Sequence, residues 1–132
     1  MDSATTDRPQ GTDQRETQSL IASDKVEGTA VYGRDGNSIG SVKRLMIEKR
    51  SGQVTDAIIS VGGFLGLGSE LNSIPWSKLD YDTSLGGYRL DVTEDQLRNA
   101  PRFDENDYES RANDRDYQKS VYEYWAVTPY WY

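Results

Sequence analysis

Asp80 and Asp82 are the residues of this chain whose types and spacing come nearest to chemistry. They stand two apart in the run Lys78–Asp82 (KLDYD), and side chains alternate along a strand, so both carboxyls face one side. Such a pair does acid–base work when burial or the neighbour's charge raises one pKa. Two solvated acids on a β surface explain the spacing as well, and that is the reading taken here. The chain has neither Cys nor His. Their absence removes disulfides, thiolate and imidazole metal ligands, the Cys nucleophile and the commonest general base. Gly62–Gly68 (GGFLGLG) has the glycines of a phosphate cradle but lacks the Lys and the long helix that a cradle needs. Asp104–Asp107 lacks the Gly and the closing Glu of a calcium loop. The expectation is a protein that is not an enzyme, with no catalytic residue, no metal and no cofactor.

What is left is binding. Lys43, Arg44, Lys49 and Arg50 form the one dense basic group, near the end of a hairpin, and suit an acidic partner or the chain's own acidic ends. The net charge is -7, with five acids against two bases in residues 1–24, ten against ten in 25–103, and seven against three in 104–132. Acidic ends around a neutral body argue against nucleic acid as the main partner, since that binding is driven by Lys and Arg replacing counterions. Apolar area is a second resource. Val54 and Ile58 lie on the face of their strand opposite Thr55, Ala57, Ile59 and Val61, the face that reads as core. Near the end, Tyr117, Val121, Tyr124 and Trp125 share one helical stripe, and Trp131 follows in a Tyr-Trp-Tyr ending. These are the candidate partner-binding residues. A body of roughly 80 residues buries only about 60% of its unfolded surface, so a homodimer is expected, through the spare strand face and the aromatic tail. The tail either folds back on a barrel groove, its own or a sister subunit's, or captures an unidentified protein partner through its rings.

The elements that position these residues follow from turns and periodicity. Residues 1–24 are polar and acidic with little to bury, and read as a disordered tail in which Leu20-Ile21 offers a short apolar patch. They contain no apolar core of a secretory signal, and no run in the chain approaches the roughly 20 apolar residues of a spanning helix. A cytoplasmic location is the expectation. Strands are expected over 27–32, 39–48, 53–61, 70–76, 78–82 and 88–92, with an Asp35-Gly36 hairpin turn after the first. Val42, Leu45 and Ile47 differ in parity, and a bulge near Lys43-Arg44 returns them to one face. Phe64, Leu65 and Leu67 are expected to tuck inward as their loop crosses a barrel end. Thr93 and Gln96 form a capping box for a short helix anchored by Leu97, and Pro101 ends it. Residues 104–116 read as a loose acidic linker, followed by a C-terminal helix over 117–125. Many short strands at this spacing make an all-β fold, a small antiparallel barrel of about six strands over 25–103.

In order along the chain, Val26-Glu27-Gly28, Asp35-Gly36, Ile39-Gly40-Ser41-Val42, the Gly62–Gly68 loop, Ile74-Pro75-Trp76 and Leu97 to Ala100-Pro101 carry a family likeness. Together they resemble the PRC-barrel family, shared by the cytoplasmic part of the photosynthetic reaction-centre H subunit and by a ribosome-maturation factor. The glycine-rich loop, the turn from Asp82-Thr83 to Gly86-Gly87-Tyr88 and the aromatic end look most like stand-alone bacterial members. The resemblance implies a barrel serving as an assembly or adaptor module with no family-wide catalytic residue. It also implies two alternatives. One is a ribosome or RNA accessory factor working through Lys43, Arg44, Lys49 and Arg50; the other is an accessory protein of a photosynthetic or electron-transfer complex.

Overall fold

A computed structural model describes residues 19–61 and 70–131. The expectations for residues 1–18 and for the Gly62–Gly68 loop lie outside the described residues. The chain opens with a single helical turn, α1 (Ser23–Val26), whose Val26 is buried. Four strands follow: β1 (Ala30–Tyr32), β2 (Ser38–Ile47), β3 (Val54–Val61) and β4 (Glu70–Pro75). A 3-10 turn at Trp76–Lys78 leads to the short strands β5 (Asp80–Asp82) and β6 (Gly87–Arg89). Helix α2 (Glu94–Arg98) has the expected capping box. The Gln96 backbone N–H donates to Thr93 Oγ1 at 3.1 Å, and the Thr93 N–H donates to Gln96 Oε1 at 2.9 Å. Leu97 is its buried anchor. Strand β7 (Arg102–Asp104), a 3-10 turn, α3 (Tyr108–Ala112) and α4 (Arg115–Tyr124) complete the chain.

The strands form one seven-stranded sheet in the order β5-β6-β1-β2-β3-β4-β7. Three expectations are corrected here. The described strands do not close into a barrel, there are seven of them rather than six, and β1 and β6 run parallel. The physical reason lies at β4, whose outer side is taken by β7 through the pairs Leu71↔Phe103 and Asn72↔Arg102. That strand is only three residues, Arg102-Phe103-Asp104, too short to read as β in the sequence, and it leaves β5 at the opposite edge.

The strand-to-strand register bears out the bulge. Val42 pairs with Ile59 and Arg44 with Ile58, so Lys43 is the extra residue and Leu45 returns to the side of Val42. A second shift follows, because Met46 faces Asp56 while Ile47 faces Val54. It turns Ile47 away from the core, and the side chain is 54% exposed.

β3 is buried on both faces, which corrects the one-sided reading. Asp56, Ala57, Ile58 and Ile59 are buried in succession, a pattern that requires cover on either side. Ala57 and Ile59 face the sheet's main core with Val31, Val42, Ile74 and Leu90. Ile58 and Asp56 sit opposite Ser73 and Pro75 of β4 on the other face, and there α4 lies across them.

α4 ends in a full Schellman motif. The N–H of Val127 donates to the Tyr122 carbonyl at 3.0 Å and that of Ala126 to Glu123 at 3.2 Å. Ala126 takes the left-handed position, φ 57°, that glycine usually fills. Ala126→Gly is therefore expected to stabilise the chain by about 0.5–1 kcal/mol, the relieved Cβ crowding exceeding the entropy that glycine adds to the unfolded chain. Urea titration of both proteins measures it.

Candidate functional site

Asp80 and Asp82 share strand β5 but not a task. Asp82 accepts hydrogen bonds from the Ser84 hydroxyl at 2.6 Å and the Ser84 N–H at 2.9 Å, and pairs with Arg89 at 3.1 Å. The Ser84 hydroxyl, first among these donors, holds the Asp82 carboxyl below its ordinary pKa. It is an ionised turn-former, whereas Asp80 is exposed across from Arg89. Among the described residues, no group of acidic side chains gathers closely enough to hold a metal ion.

The four cations are not one patch. Lys43 sits in the bulge and Arg44 on the strand, and other groups of the chain engage both. Lys49 and Arg50 lie apart from them at the exposed β2–β3 turn. That turn is rigidly built. Ser51 Oγ donates to Glu48 Oε1 at 2.6 Å and accepts from the Gln53 N–H at 3.1 Å, while the Gly52 N–H donates to the Glu48 carbonyl at 2.8 Å. Elsewhere arginines are matched with acids: Arg34 with Asp91, Arg98 with Glu94 and Asp95, Arg102 with Glu70 and Arg111 with Asp114. Neither Lys49 nor Arg50 has an ion pair among the described residues. Beside them stand the exposed Ile47 and, across the ladder, the half-buried Val54.

The aromatic end folds back on its own chain. Tyr117, Val121 and Trp125 are buried, and so is Tyr122, which the sequence reading did not single out. Phe103 meets the Tyr117 ring edge-on at 5.3 Å, which seats α4 over the β4–β7 side of the sheet. Tyr124 is 41% exposed, yet its hydroxyl donates to the Gln96 carbonyl of α2 at 2.6 Å. Trp131 turns back to Tyr122, centroids 5.6 Å apart, and the Arg115 guanidinium lies 3.9 Å from the Trp131 ring centroid, a cation–π contact. Ile58, the residue with the largest apolar area on the supposedly spare face, is wholly enclosed by this chain.

Beneath α4 lies a polar cluster that sequence reasoning missed. Asp56 is 6% exposed and makes no ion pair among the described residues. Its oxygens accept from the Tyr122 hydroxyl at 3.0 Å and the Ser73 hydroxyl at 3.2 Å. Tyr117 joins from the side, donating to the Pro101 carbonyl at 3.1 Å and accepting from the Ser73 N–H at 3.4 Å. Burial pushes the Asp56 carboxyl above its ordinary pKa, against the opposing pull of the Thr55, Tyr122 and Ser73 hydroxyls. Burial likewise raises both tyrosines, with the Asp56 charge adding to it, so their hydroxyls stay protonated as donors. One signal was available: Asp56 is the only charged residue in the run Val54–Val61.

A family model, the PRC-barrel domain, matches residues 19–97. The chain belongs to the PRC-barrel family. No protein of curated function matches it in sequence. Among solved structures it is similar to a putative 16S ribosomal RNA processing protein, RimM, of Pseudomonas aeruginosa, at 18% identity and a TM-score of 0.40. The match covers 61% of this chain and 49% of that one, so this chain spans about half of that protein's length. Among the described residues, no helix is long and apolar enough to cross a membrane. The PRC-barrel match ends at Leu97. Strand β7 and helix α4, which flank β4 and cover β3, therefore come from the chain beyond the matched domain.

Proposed function

We propose that this PRC-barrel protein is a non-catalytic adaptor that binds another protein through the tip of its β2–β3 hairpin. The carrying observation is the exposed Ile47 beside Lys49 and Arg50, two adjacent cations without ion pairs among the described residues. An apolar anchor rimmed by charge on a preorganised turn loses little entropy on docking. The complementary partner is a protein surface with a small apolar pocket flanked by carboxylates. A cytoplasmic setting is part of this reading. So is self-association, which falls to Ile47, Val54 and the tip because Ile58 is enclosed.

The test compares the wild-type chain with the triple variant Ile47→Asp, Lys49→Glu, Arg50→Glu in co-purification from the native cell, with and without nuclease. The expected result is a nuclease-resistant protein partner whose affinity falls about thirtyfold or more in the variant, as for a hot spot of about 2 kcal/mol. Retention of an identical partner by the variant would sink the proposal. Loss of all retained material on nuclease treatment, with steep salt dependence, would move the reading to the RNA accessory factor. Sedimentation velocity of the two proteins tests self-association in the same variant.

A further inference from the structure

The C-terminal helix is held over an unusual seat. Closing α4 on the sheet removes a carboxyl group, Asp56, from water and gives it only neutral donors. The groups around it are the Thr55 hydroxyl from its own strand, the Ser73 hydroxyl from β4, the Tyr122 hydroxyl from α4, the Tyr117 hydroxyl one step away on the Ser73 N–H, and Met46, opposite in register on β2. The nearest cations by register and contact are Arg44, across from Ile58, and Arg111, over the Tyr117 ring at 5.5 Å. Neither forms an ion pair with Asp56. Burying an ionised carboxylate without a countercharge is costly, while burying its neutral form is far less so.

A second, independent observation points to the same helix. Gln118 Oε1 and Trp125 Nε1 are buried with no hydrogen-bond partner among the described residues, and both belong to α4 or its cap. Each such atom gives up hydration that it regains when the helix lifts. α4 also follows the domain-model match, joined to α3 by Asn113 and Asp114 alone. An element that meets the core mainly along one strand, as α4 meets β4, opens before the core does.

We propose that α4 and the aromatic tail form a releasable strap, closed at mildly acid pH and opened more often as pH rises, with Asp56 as the titrating seat. The sign follows from linkage. The closed state binds the Asp56 proton more tightly than the open state, so closure is fully favoured below the ordinary carboxylate pKa. That advantage is lost as pH rises through the elevated closed-state value. Opening lays bare Ile58 and Phe103 and the rings of Trp125 and Tyr117.

Hydrogen exchange of the full chain, followed by peptide over about pH 4.5–8 and corrected for intrinsic rates, tests it. Opening of residues 115–127 is expected to rise by up to about tenfold per pH unit across the window and then level off. Amides of β2 and β3 should not follow. In Asp56→Asn, which keeps the shape and an acceptor for Tyr122, the rise should vanish. In Tyr122→Phe, opening should increase more at the alkaline end, where the lost donor served an anion. An identical pH response in wild type and Asp56→Asn would overturn the proposal. So would exchange of α4 only together with the whole sheet.

Discussion

Ile58→Ala is expected to lower the unfolding free energy by about 2–5 kcal/mol, as in other large-to-small changes at enclosed sites. The side chain has no exposed surface. It lies between Arg44 of β2 and Ser73 of β4 in the sheet, on the face that α4 covers. Its methyl groups are removed from water by the same chain, so the loss should not depend on protein concentration. A residue at a twofold interface behaves differently, because truncation there weakens association and the midpoint then moves with concentration. Urea melts at two concentrations a hundredfold apart separate the cases. A shift of midpoint with concentration in the wild type that disappears in Ile58→Ala would return Ile58 to an interface. Equal losses at both concentrations place it in the core.

That ambiguity shows where the sequence stops being legible. Alternation within Val54–Val61 marks the Ala57–Ile59 face as core, and the structure agrees. The cover over Asp56 and Ile58 comes from a helix some 60 residues later, and no local pattern announces that contact. The Lys43 bulge was readable because Val42 and Leu45 conflict in parity. The second shift at Ile47 was not, since an apolar residue in step with the buried Val42 and the half-buried Leu45 reads as inward-facing too. The capping box at Thr93 and Gln96 was legible because its bonds are local. β7 was hidden, being three residues of Arg-Phe-Asp paired at a distance with Leu71. Chain closure failed as an expectation for that reason. The candidate site followed the same rule. Lys49 and Arg50 were found by charge alone, but separating them from Lys43 and Arg44 required knowing which cations the rest of the chain engages.

Val121→Asp is expected to detach α4 at a cost of about 3–5 kcal/mol, the range for placing an unpaired charge at an enclosed site. Val121 has no exposed surface and lies one turn after Tyr117 on the buried stripe. How the molecule meets that cost depends on how strongly the strap is coupled to the sheet. When lifting the helix costs less than unfolding everything, the loss appears locally and is capped by the strap's own holding energy. Trypsin should then cut after Arg115 and Lys119, both exposed on α4, while the sheet keeps its exchange protection. Emission from Trp125 and Trp131 should shift to the red as the tail enters water, and Trp76, outside the strap, should not change. The exposed neighbour Glu123→Ala should alter none of these readouts beyond about 0.5 kcal/mol. If Val121→Asp instead lowers the midpoint of the whole sheet by the full amount and no local cleavage precedes it, α4 is an integral layer of the fold. Ile58→Ala cannot make this distinction, because β3 belongs to the sheet itself and its loss is global in either case. The two substitutions together therefore measure how the stability of the face divides between the strand that presents it and the helix that covers it.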